Sequence, residues 1–282
     1  MKLTKCVTYL SCVVLLLAFS ASLQADDLAY QLNGGGGFGH VDLNTGVRHG
    51  IPFQDCPLGS PAGCYVGLGA SNGVLYTAAD TGTTASASIN VYEVSLTGGG
   101  GSLIAQLPCC ATALGSTTSG LYGVGADGNL YSFSAATDTL TLIGPTGVSP
   151  VQQQGLSVNS GALYFDSAGN LYTLNTATGA ATLIGPMDTT NDVGAMLWED
   201  GTLYGTDAPG DSQKAEIFTI NTTTGVATDT GLGGAAGIGG GGLAPDPVPT
   251  STPEPAGLLL MATGLLVLAG LLRRRRAAAA RY

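Results

Sequence analysis

A tyrosine recurs along this chain at nearly constant intervals, and this recurrence constrains the fold more than any other feature of the sequence. The intervals are 46, 46, 42 and 40 residues, between Tyr30, Tyr76, Tyr122, Tyr164 and Tyr204. The two clearest copies of the surrounding segment, residues 120–145 and 155–186, both end in Leu-Ile-Gly-Pro. Repeats of about 40 to 50 residues are typical of propellers and of solenoids, so the local secondary structure has to distinguish the two.

The secondary structure predicted within each repeat consists of strands alone. In residues 155–186, short segments rich in β-branched and aromatic residues alternate with Gly, Asn and Asp turns, and we predict strands at 155–158, 162–166, 170–175 and 180–184. A second aromatic series lies in the strand that follows each tyrosine: Phe38, Tyr92, Tyr131, Tyr172 and Phe218. Four antiparallel strands per repeat make one propeller blade.

The two ends of the repeat region indicate how the repeats are arranged. The first copy begins directly with its tyrosine strand at Leu28, and residues 235–244 resemble the missing first strand but have no blade after them. We therefore predict an all-β fold, in which residues 26–245 form a β-propeller of about five four-stranded blades closed by the C-terminal strand. The alternative is a solenoid, which would need capped ends and should not divide one repeat between its ends.

The N-terminal segment has the features of a secretory signal peptide. Lys2 and Lys5 precede an apolar run at 12–19, and small residues then lead to Ala25 and Asp26, between which we expect cleavage. Residues 1–25 are therefore predicted to form a signal helix that is removed. The alternative is a retained N-terminal anchor, for which the apolar run is short.

A proline-rich spacer, residues 246–255, leads to a second apolar segment near the C terminus. Residues 256–272 carry no charge, and a helix of this length spans roughly 25 Å, close to the minimum for a bilayer. Four arginines follow, and basic residues beside a span favour the cytoplasmic side: Arg273, Arg274, Arg275 and Arg276. We predict a transmembrane helix at 256–272 and a basic cytoplasmic tail at 273–282.

The exported region is strongly acidic. Seven of the nine Lys and Arg residues lie in the two terminal segments, which leaves only Arg48 and Lys214 against all nineteen acids, a formal charge of −17. Nucleic-acid affinity depends largely on basic side chains that neutralise phosphates. The composition therefore excludes nucleic acid as a direct partner.

Four cysteines remain once the signal peptide is removed: Cys56, Cys64, Cys109 and Cys110. An even number of cysteines outside the cytoplasm indicates disulfides. Both pairs follow the last strand of a blade, so a disulfide between these two connections is one possibility. The other is a Cys56–Cys64 bond together with a vicinal Cys109–Cys110 bond. Catalytic thiol chemistry is the weakest reading, because no motif specifies His40 or His49 as a partner.

Two motif matches are better explained as turns than as sites. Residues 34–39 satisfy the G-x-G-x-x-G pattern, but that pattern cradles a pyrophosphate only where a helix begins, and here a strand begins. Residues 69–73 satisfy G-x-S-x-G, which presents a nucleophile only at a strand-to-helix turn. In this sequence the segment joins two strands, so we predict no catalytic residue.

Acidic residues in turns are the candidates for a metal site or a carboxylate pair. They occur at residues 127–129 and 166–170, and in one longer loop that contains Asp207, Asp211 and Glu216. None has the spacing of an EF-hand, and Asx-Gly pairs are common in tight hairpins. We predict no cofactor, with a structural calcium ion as the alternative. We expect Trp198 and the tyrosines to pack between blades, and the sequence leaves the lining of the central channel open.

The C-terminal tail closely resembles the PEP-CTERM sorting signal of exported bacterial proteins. Pro253, Glu254 and Pro255 match its motif, residues 256–272 its span and the four arginines its stop, although residues 277–282 extend further than is usual. The resemblance covers about the last thirty residues. It implies a membrane processing enzyme of the exosortase type as a partner, cleavage near the motif, and an association with exopolysaccharide and biofilm.

Together these features predict a protein that crosses the inner membrane, is held there transiently and reaches the cell surface or the extracellular matrix. We expect a non-enzymatic module that binds exopolysaccharide or another surface component. The alternative is a secreted propeller enzyme acting on glycans, a hydrolase or lyase, which would need convergent carboxylates or a His-metal set at one mouth of the channel. A third possibility is a structural protein whose channel is filled with apolar residues or glycine.

Overall fold

The structure, a computed structural model, describes most of the repeat region and neither terminal segment. The described residues are 28–33, 38–51, 67–71, 73–80, 89–94, 101–107, 111–117, 120–134, 136–137, 139–149, 154–189, 193–207, 216–233 and 240–246. The chain divides into two compact units, Met1–Pro247 and Val248–Tyr282, and the second lies outside these residues, as do the predicted signal and transmembrane helices. In the described part, no helix has the length and hydrophobicity needed to cross a bilayer.

The described strands form five antiparallel sheets of four strands, the five blades of a β-propeller. Blade 1 contains β20 (Gly240–Pro245), β1 (Leu28–Asn33), β2 (Phe38–Asp42) and β3 (Arg48–Ile51). Blade 2 contains β4 (Gly67–Ser71), β5 (Val74–Asp80), β6 (Ile89–Val94) and β7 (Gly101–Leu107). Blade 3 contains β8 (Ala111–Thr117), β9 (Gly120–Gly125), β10 (Asn129–Ser134) and β11 (Thr139–Pro145). Blade 4 contains β12 (Leu156–Asn159), β13 (Ala162–Ser167), β14 (Asn170–Leu174) and β15 (Ala181–Pro186). Blade 5 contains β16 (Val193–Glu199), β17 (Thr202–Asp207), β18 (Glu216–Ile220) and β19 (Ala227–Gly233).

Blade 1 is assembled from both ends of the repeat region. Strand β20 pairs antiparallel with β1, so that Ala244 lies opposite Tyr30 and Pro245 opposite Ala29. The first strands of the blades contact one another in the cyclic order β20, β4, β8, β12, β16 and back to β20. The predicted closed ring of five blades is therefore confirmed, and the solenoid is excluded.

The described core consists of apolar clusters at the interfaces between neighbouring blades. One cluster lies at each of the five interfaces around the ring. Each residue of the recurring tyrosine series packs toward the following blade, in the order Tyr30, Tyr76, Tyr122, Tyr164 and Tyr204. The recurrence therefore arises because every interface needs the same large side chain at the same place, and the expectation that the tyrosines pack between blades is confirmed.

The turns after β2, β14 and β18 share the pattern Asx-x-x-Thr-Gly. In each turn the Asx side chain accepts the backbone N–H groups two and three residues later, at 2.8 to 3.1 Å. The final glycine has a positive φ, which costs little only for glycine: Gly46 (70°), Gly179 (85°) and Gly225 (86°). Turn residues and strand ends are thus specified locally by the sequence.

The repeated Leu-Ile-Gly-Pro sequence has a packing role. A Cβ atom on Gly144 would collide with the carbonyl oxygen of Thr178, and one on Gly185 would collide with that of Thr224. Thr178 and Thr224 belong to the Asx-x-x-Thr-Gly turn of the following blade. Because a backbone cannot yield as a side chain can, only glycine allows the blades to approach this closely.

The predicted strand positions agree with the structure to within two residues in blade 4. The second aromatic series, however, is out of register in one blade. Tyr92, Tyr131 and Tyr172 each lie opposite the residue that directly follows a series tyrosine. Phe38 instead lies opposite Leu32, which is two residues after Tyr30. Gly39 takes the equivalent position in blade 1, where a Cβ atom would collide with the carbonyl oxygen of His49.

Candidate functional site

The inner strands, which surround the axis, repeat a pattern of one small and one large apolar residue. In each inner strand, one residue lies opposite the series tyrosine of the neighbouring strand. The residue before it in the chain is large and aliphatic, and the residue before that one is small. The large residues are Leu243, Leu68, Leu114, Leu156 and Met196, and the small ones are Gly242, Gly67, Ala113, Gly155 and Ala195. All ten are buried.

The small residues of one inner strand make room for the next inner strand. A Cβ atom on Gly67 would lie 2.7 Å from the backbone nitrogen of Leu114, and one on Gly155 would lie 2.8 Å from that of Met196. The described inner strands therefore pack closely against one another around the ring, and their large residues belong to the apolar clusters between blades. Sequence reasoning missed this pattern, although aligning the inner strands on the tyrosines opposite them would have revealed it.

Two of the acids considered as metal ligands are buried at strand ends. Asp166 is 1% exposed, and its Oδ1 accepts the backbone N–H of Gly155; Asp207 is fully buried, and its Oδ1 accepts the backbone N–H of Glu216 at 2.8 Å. Asp207 and Glu216 thus end β17 and begin β18 rather than lying within a loop, and Asp211 lies outside the described residues. Both carboxylates bond to backbone groups of the adjoining segments, which is a structural use of the charge.

Asp127 stabilises the hairpin turn between β9 and β10. Its Oδ2 accepts the Tyr131 hydroxyl and the Asn129 side-chain amide, both at 2.6 Å, and its Oδ1 accepts the backbone N–H of Asn129 at 3.1 Å. Partial burial alone would raise the pKa of Asp127, but these hydrogen bonds outweigh it and hold the pKa below its ordinary value. The turn interpretation of residues 127–129 accounts for this acid.

Candidate metal ligands do not converge in the described part of the chain, where no group of three or more His, Cys, Asp or Glu residues is placed to hold an ion. The two histidines face each other across β2 and β3, with His40 opposite His49. His40 also makes an edge contact with Tyr30, with ring centroids 4.5 Å apart. These residues belong to blade 1, and no candidate thiol is described near them.

Most of the predicted site residues lie outside the described residues. These are the cleavage residues Ala25 and Asp26, the sorting motif Pro253, Glu254 and Pro255, the stop residues Arg273, Arg274, Arg275 and Arg276, and the cysteines Cys56, Cys64, Cys109 and Cys110. By chain position, the first two cysteines fall between β3 and β4 and the other two between β7 and β8. The rejected motif at 69–73 does join two antiparallel strands, β4 and β5, as expected.

A shallow depression of about 260 Å³ lies on blade 5, where the turn from β16 to β17 meets the end of β18 and the turn after it. We call it the blade 5 groove, and it is lined by Trp198, Gly201, Thr202, Leu203, Ile220, Asn221 and Thr222. Trp198 packs in the interface with blade 4, as the sequence predicted, and stacks on Tyr164 with ring centroids 6.0 Å apart and an interplanar angle of 11°.

The Trp198 side chain is nevertheless only half-buried, so the groove combines an apolar wall with polar turn residues. The Oδ1 atom of Asn221 is committed to the backbone N–H groups of Thr223 and Thr224, at 2.8 and 3.1 Å. Its side-chain nitrogen is therefore the group that can donate outside the turn. Aromatic side chains beside a few polar groups that fix orientation also occur in ligand sites.

Comparison with solved structures supports the fold. The chain is similar to a structure described as a nidogen/laminin complex, with a TM-score of 0.50 and 11% identity over 78% of this chain and 97% of that chain. A glutaminyl cyclase from Myxococcus xanthus gives 0.42 and 14%, over 64% of this chain and 70% of that one. At 11% identity, the likeness to the nidogen/laminin structure extends to the fold alone. In sequence, neither a family model nor a curated protein matches the chain.

Proposed function

We propose that this chain is an exported, exosortase-processed surface or matrix protein whose propeller binds a polysaccharide in the blade 5 groove without catalysing a reaction. The observation that carries the binding proposal is the half-exposed Trp198, held by its stack on Tyr164 beside Thr202, Asn221 and Thr222. A sugar ring presents C–H groups on its faces and hydroxyl groups at its edge. The aromatic wall suits the faces and the turn residues suit the hydroxyl groups.

The packing of the inner strands also favours a site in the blade 5 groove over one at the channel. An enzyme acting at the channel would need polar groups converging there, whereas the inner strands supply the small and large apolar residues described above. The buried acids Asp166 and Asp207 accept backbone N–H groups at strand ends. These uses are structural, so the described geometry gives the glycan hydrolase or lyase alternative no specific support.

Binding and catalysis can be tested in one experiment. A fragment comprising residues 26–247 contains all twenty described strands, and it would be incubated with the producing cell's own exopolysaccharide. Retention of the fragment and an unchanged polysaccharide size distribution are the expected results. Shortened polysaccharide would instead support the enzyme alternative, and a fragment that neither binds nor cleaves would contradict both.

A matched variant locates the binding. Thr222→Arg places a long side chain in the groove from an exposed turn and leaves the Trp198 stack intact. We expect this variant to fold normally and to lose retention on the polysaccharide. Equal retention of the variant and the unmodified fragment would show that the groove is not the site.

The export proposal rests on the terminal segments and has a separate test. The mass of the mature protein recovered from the cell surface or the medium should lack residues 1–25 and the arginines at 273–276. An intact C-terminal segment in the mature protein would make the tail a permanent anchor rather than a sorting signal.

A further inference from the structure

The described charges next to the blade 5 groove are negative. Glu199 and Asp200 form the turn between the lining residues Trp198 and Gly201, and Asp200 is exposed. In the described part of blades 2 to 5 there is no Lys, Arg or His. The described basic side chains, Arg48 and the two histidines, all belong to blade 1.

The charge of the whole exported region acts in the same direction. A formal charge of −17 concentrates cations at the surface and repels anionic polymers. An anionic polysaccharide, such as a polyuronate or a sulfated glycan, would therefore be repelled from the groove. A neutral glycan would be indifferent to the field, and a cationic glycan would be attracted by it.

The aromatic wall adds a second preference for cations. A cation near the face of an aromatic ring is attracted by the negative potential of that face, and tryptophan gives the strongest interaction. An ammonium group can also donate a hydrogen bond to the Thr222 hydroxyl oxygen, and the negative charges of Glu199 and Asp200 in the adjoining turn attract it. A sugar that carries a free amine offers a C–H face and an ammonium group on one ring.

We infer that the blade 5 groove selects an amino-sugar glycan whose amines are free and protonated, over the N-acetylated, neutral or anionic glycans. This inference rests on the proposed function, because it names the class of polysaccharide that the same groove would bind. It adds a direction that can be measured: affinity should rise with the fraction of free amines and fall with salt concentration.

The test compares oligosaccharides of equal length with the 26–247 fragment by calorimetric titration, at a pH where the amines are protonated. The probes are a chitosan oligomer, the corresponding N-acetylated chitin oligomer and an oligouronate. At low salt we expect chitosan to bind about tenfold more tightly than chitin, and at high salt this preference should shrink to about threefold or less as the charges are screened. We expect no binding of the oligouronate.

Two charge variants separate the groove from the overall field. Glu199→Gln/Asp200→Asn removes the two charges of the turn, and asparagine tolerates the positive φ of 43° at Asp200. Glu93→Gln/Glu216→Gln removes the same charge at exposed positions outside the turn between β16 and β17. The first variant should lose most of the preference for chitosan and the second should retain it.

The outcomes are distinguishable. If chitin binds as tightly as chitosan, or if both charge variants behave alike, the selection of free amines by the groove is overturned while the binding proposal stands. If no glycan binds, the proposed function itself fails. Retained binding by Thr222→Arg would overturn the assignment of the site, whichever oligomer is preferred.

Discussion

The inner strands β4 and β16 are buried along nearly their whole length, whereas the turns that line the blade 5 groove are mostly exposed or half-buried. At the centre, neighbouring backbones approach so closely that Gly67 and Gly155 have no space for a Cβ atom. At the groove, Gly201 meets nothing within 4 Å. The residues that fix the ring are therefore separate from the residues that line the groove.

Removing the closing strand should have the largest effect. A chain that ends after residue 239 lacks β20, which leaves β1 without its inner partner and takes Leu243 and Ala244 out of two interface clusters. We expect loss of a cooperative unfolding transition in denaturant, with a chain ending after residue 247 as the control. A truncated chain that unfolds at the same denaturant concentration as the control would contradict the closure.

A single methyl group at the centre should be the next most damaging change. Gly67→Ala forces a Cβ atom against the backbone of Leu114, and we expect a loss of about 1 to 3 kcal/mol in the free energy of unfolding from overpacking. Gly50→Ala is the control, because its Cβ would meet nothing within 4 Å, and it should change stability by less than about 0.5 kcal/mol. If the two substitutions changed the free energy of unfolding equally, the inner strands would not be packed more tightly than the outer strand β3.

The second strand of blade 5, β17, contains a buried polar group whose replacement should stabilise the fold. Thr206 is fully buried and its hydroxyl has no hydrogen-bond partner. Replacing a buried hydroxyl that has no partner by a methyl group of similar shape removes a desolvation cost, so Thr206→Val should raise the free energy of unfolding by about 1 kcal/mol. A destabilised Thr206→Val variant would indicate that the hydroxyl is hydrogen-bonded in solution.

A smaller, pH-dependent effect is expected at the periphery. Because hydrogen bonds lower the pKa of Asp127 in the folded state, the charged form stabilises the protein at pH values above the ordinary pKa of 3.8, and this contribution is lost as the pH falls through the folded pKa. Asp127→Asn should therefore be less stable than the unmodified protein near neutral pH, with the difference shrinking below about pH 4. Denaturant titrations at several pH values would measure this, and a difference that grows on acidification would have the wrong sign.

The groove substitution should have the smallest effect on stability. Thr222→Arg changes a half-buried turn residue that makes no contact in the core, so its free energy of unfolding should lie within about 0.5 kcal/mol of the unmodified protein. A large destabilisation would show that the groove is part of the structural framework, and the separation between the two regions would fail.

The propeller could be predicted because its signals are local and repeated. Each blade repeats a tyrosine and four short strands, and three blades repeat the Asx-x-x-Thr-Gly turn. The split first blade indicated closure without any knowledge of contacts. The blade 5 groove could not be predicted, because Trp198 approaches Asn221 and Thr222 only after β16, β17 and β18 have paired. The displacement of Phe38 by one residue could not be predicted from the sequence either, because it depends on a close approach between Gly39 and His49.

The alternation of small and large residues in the inner strands could be predicted only in part. Gly67 and Leu68 can be read from the sequence, but their meaning depends on knowing which tyrosine lies opposite, and antiparallel register is set by the turn as well as by the strand. The buried Asp166 and Asp207 are a similar case. A turn acid and a buried acid look alike in sequence, and only the fold shows which backbone N–H group each accepts.

Hydrogen exchange with and without a chitosan oligomer tests the separation of the two regions most directly. We expect slow exchange of the inner-strand amides in both states, and new protection confined to peptides covering residues 198–203 and 220–224. Protection that appears instead along β4, β8 or β12 would place the ligand at the axis and contradict binding in the blade 5 groove.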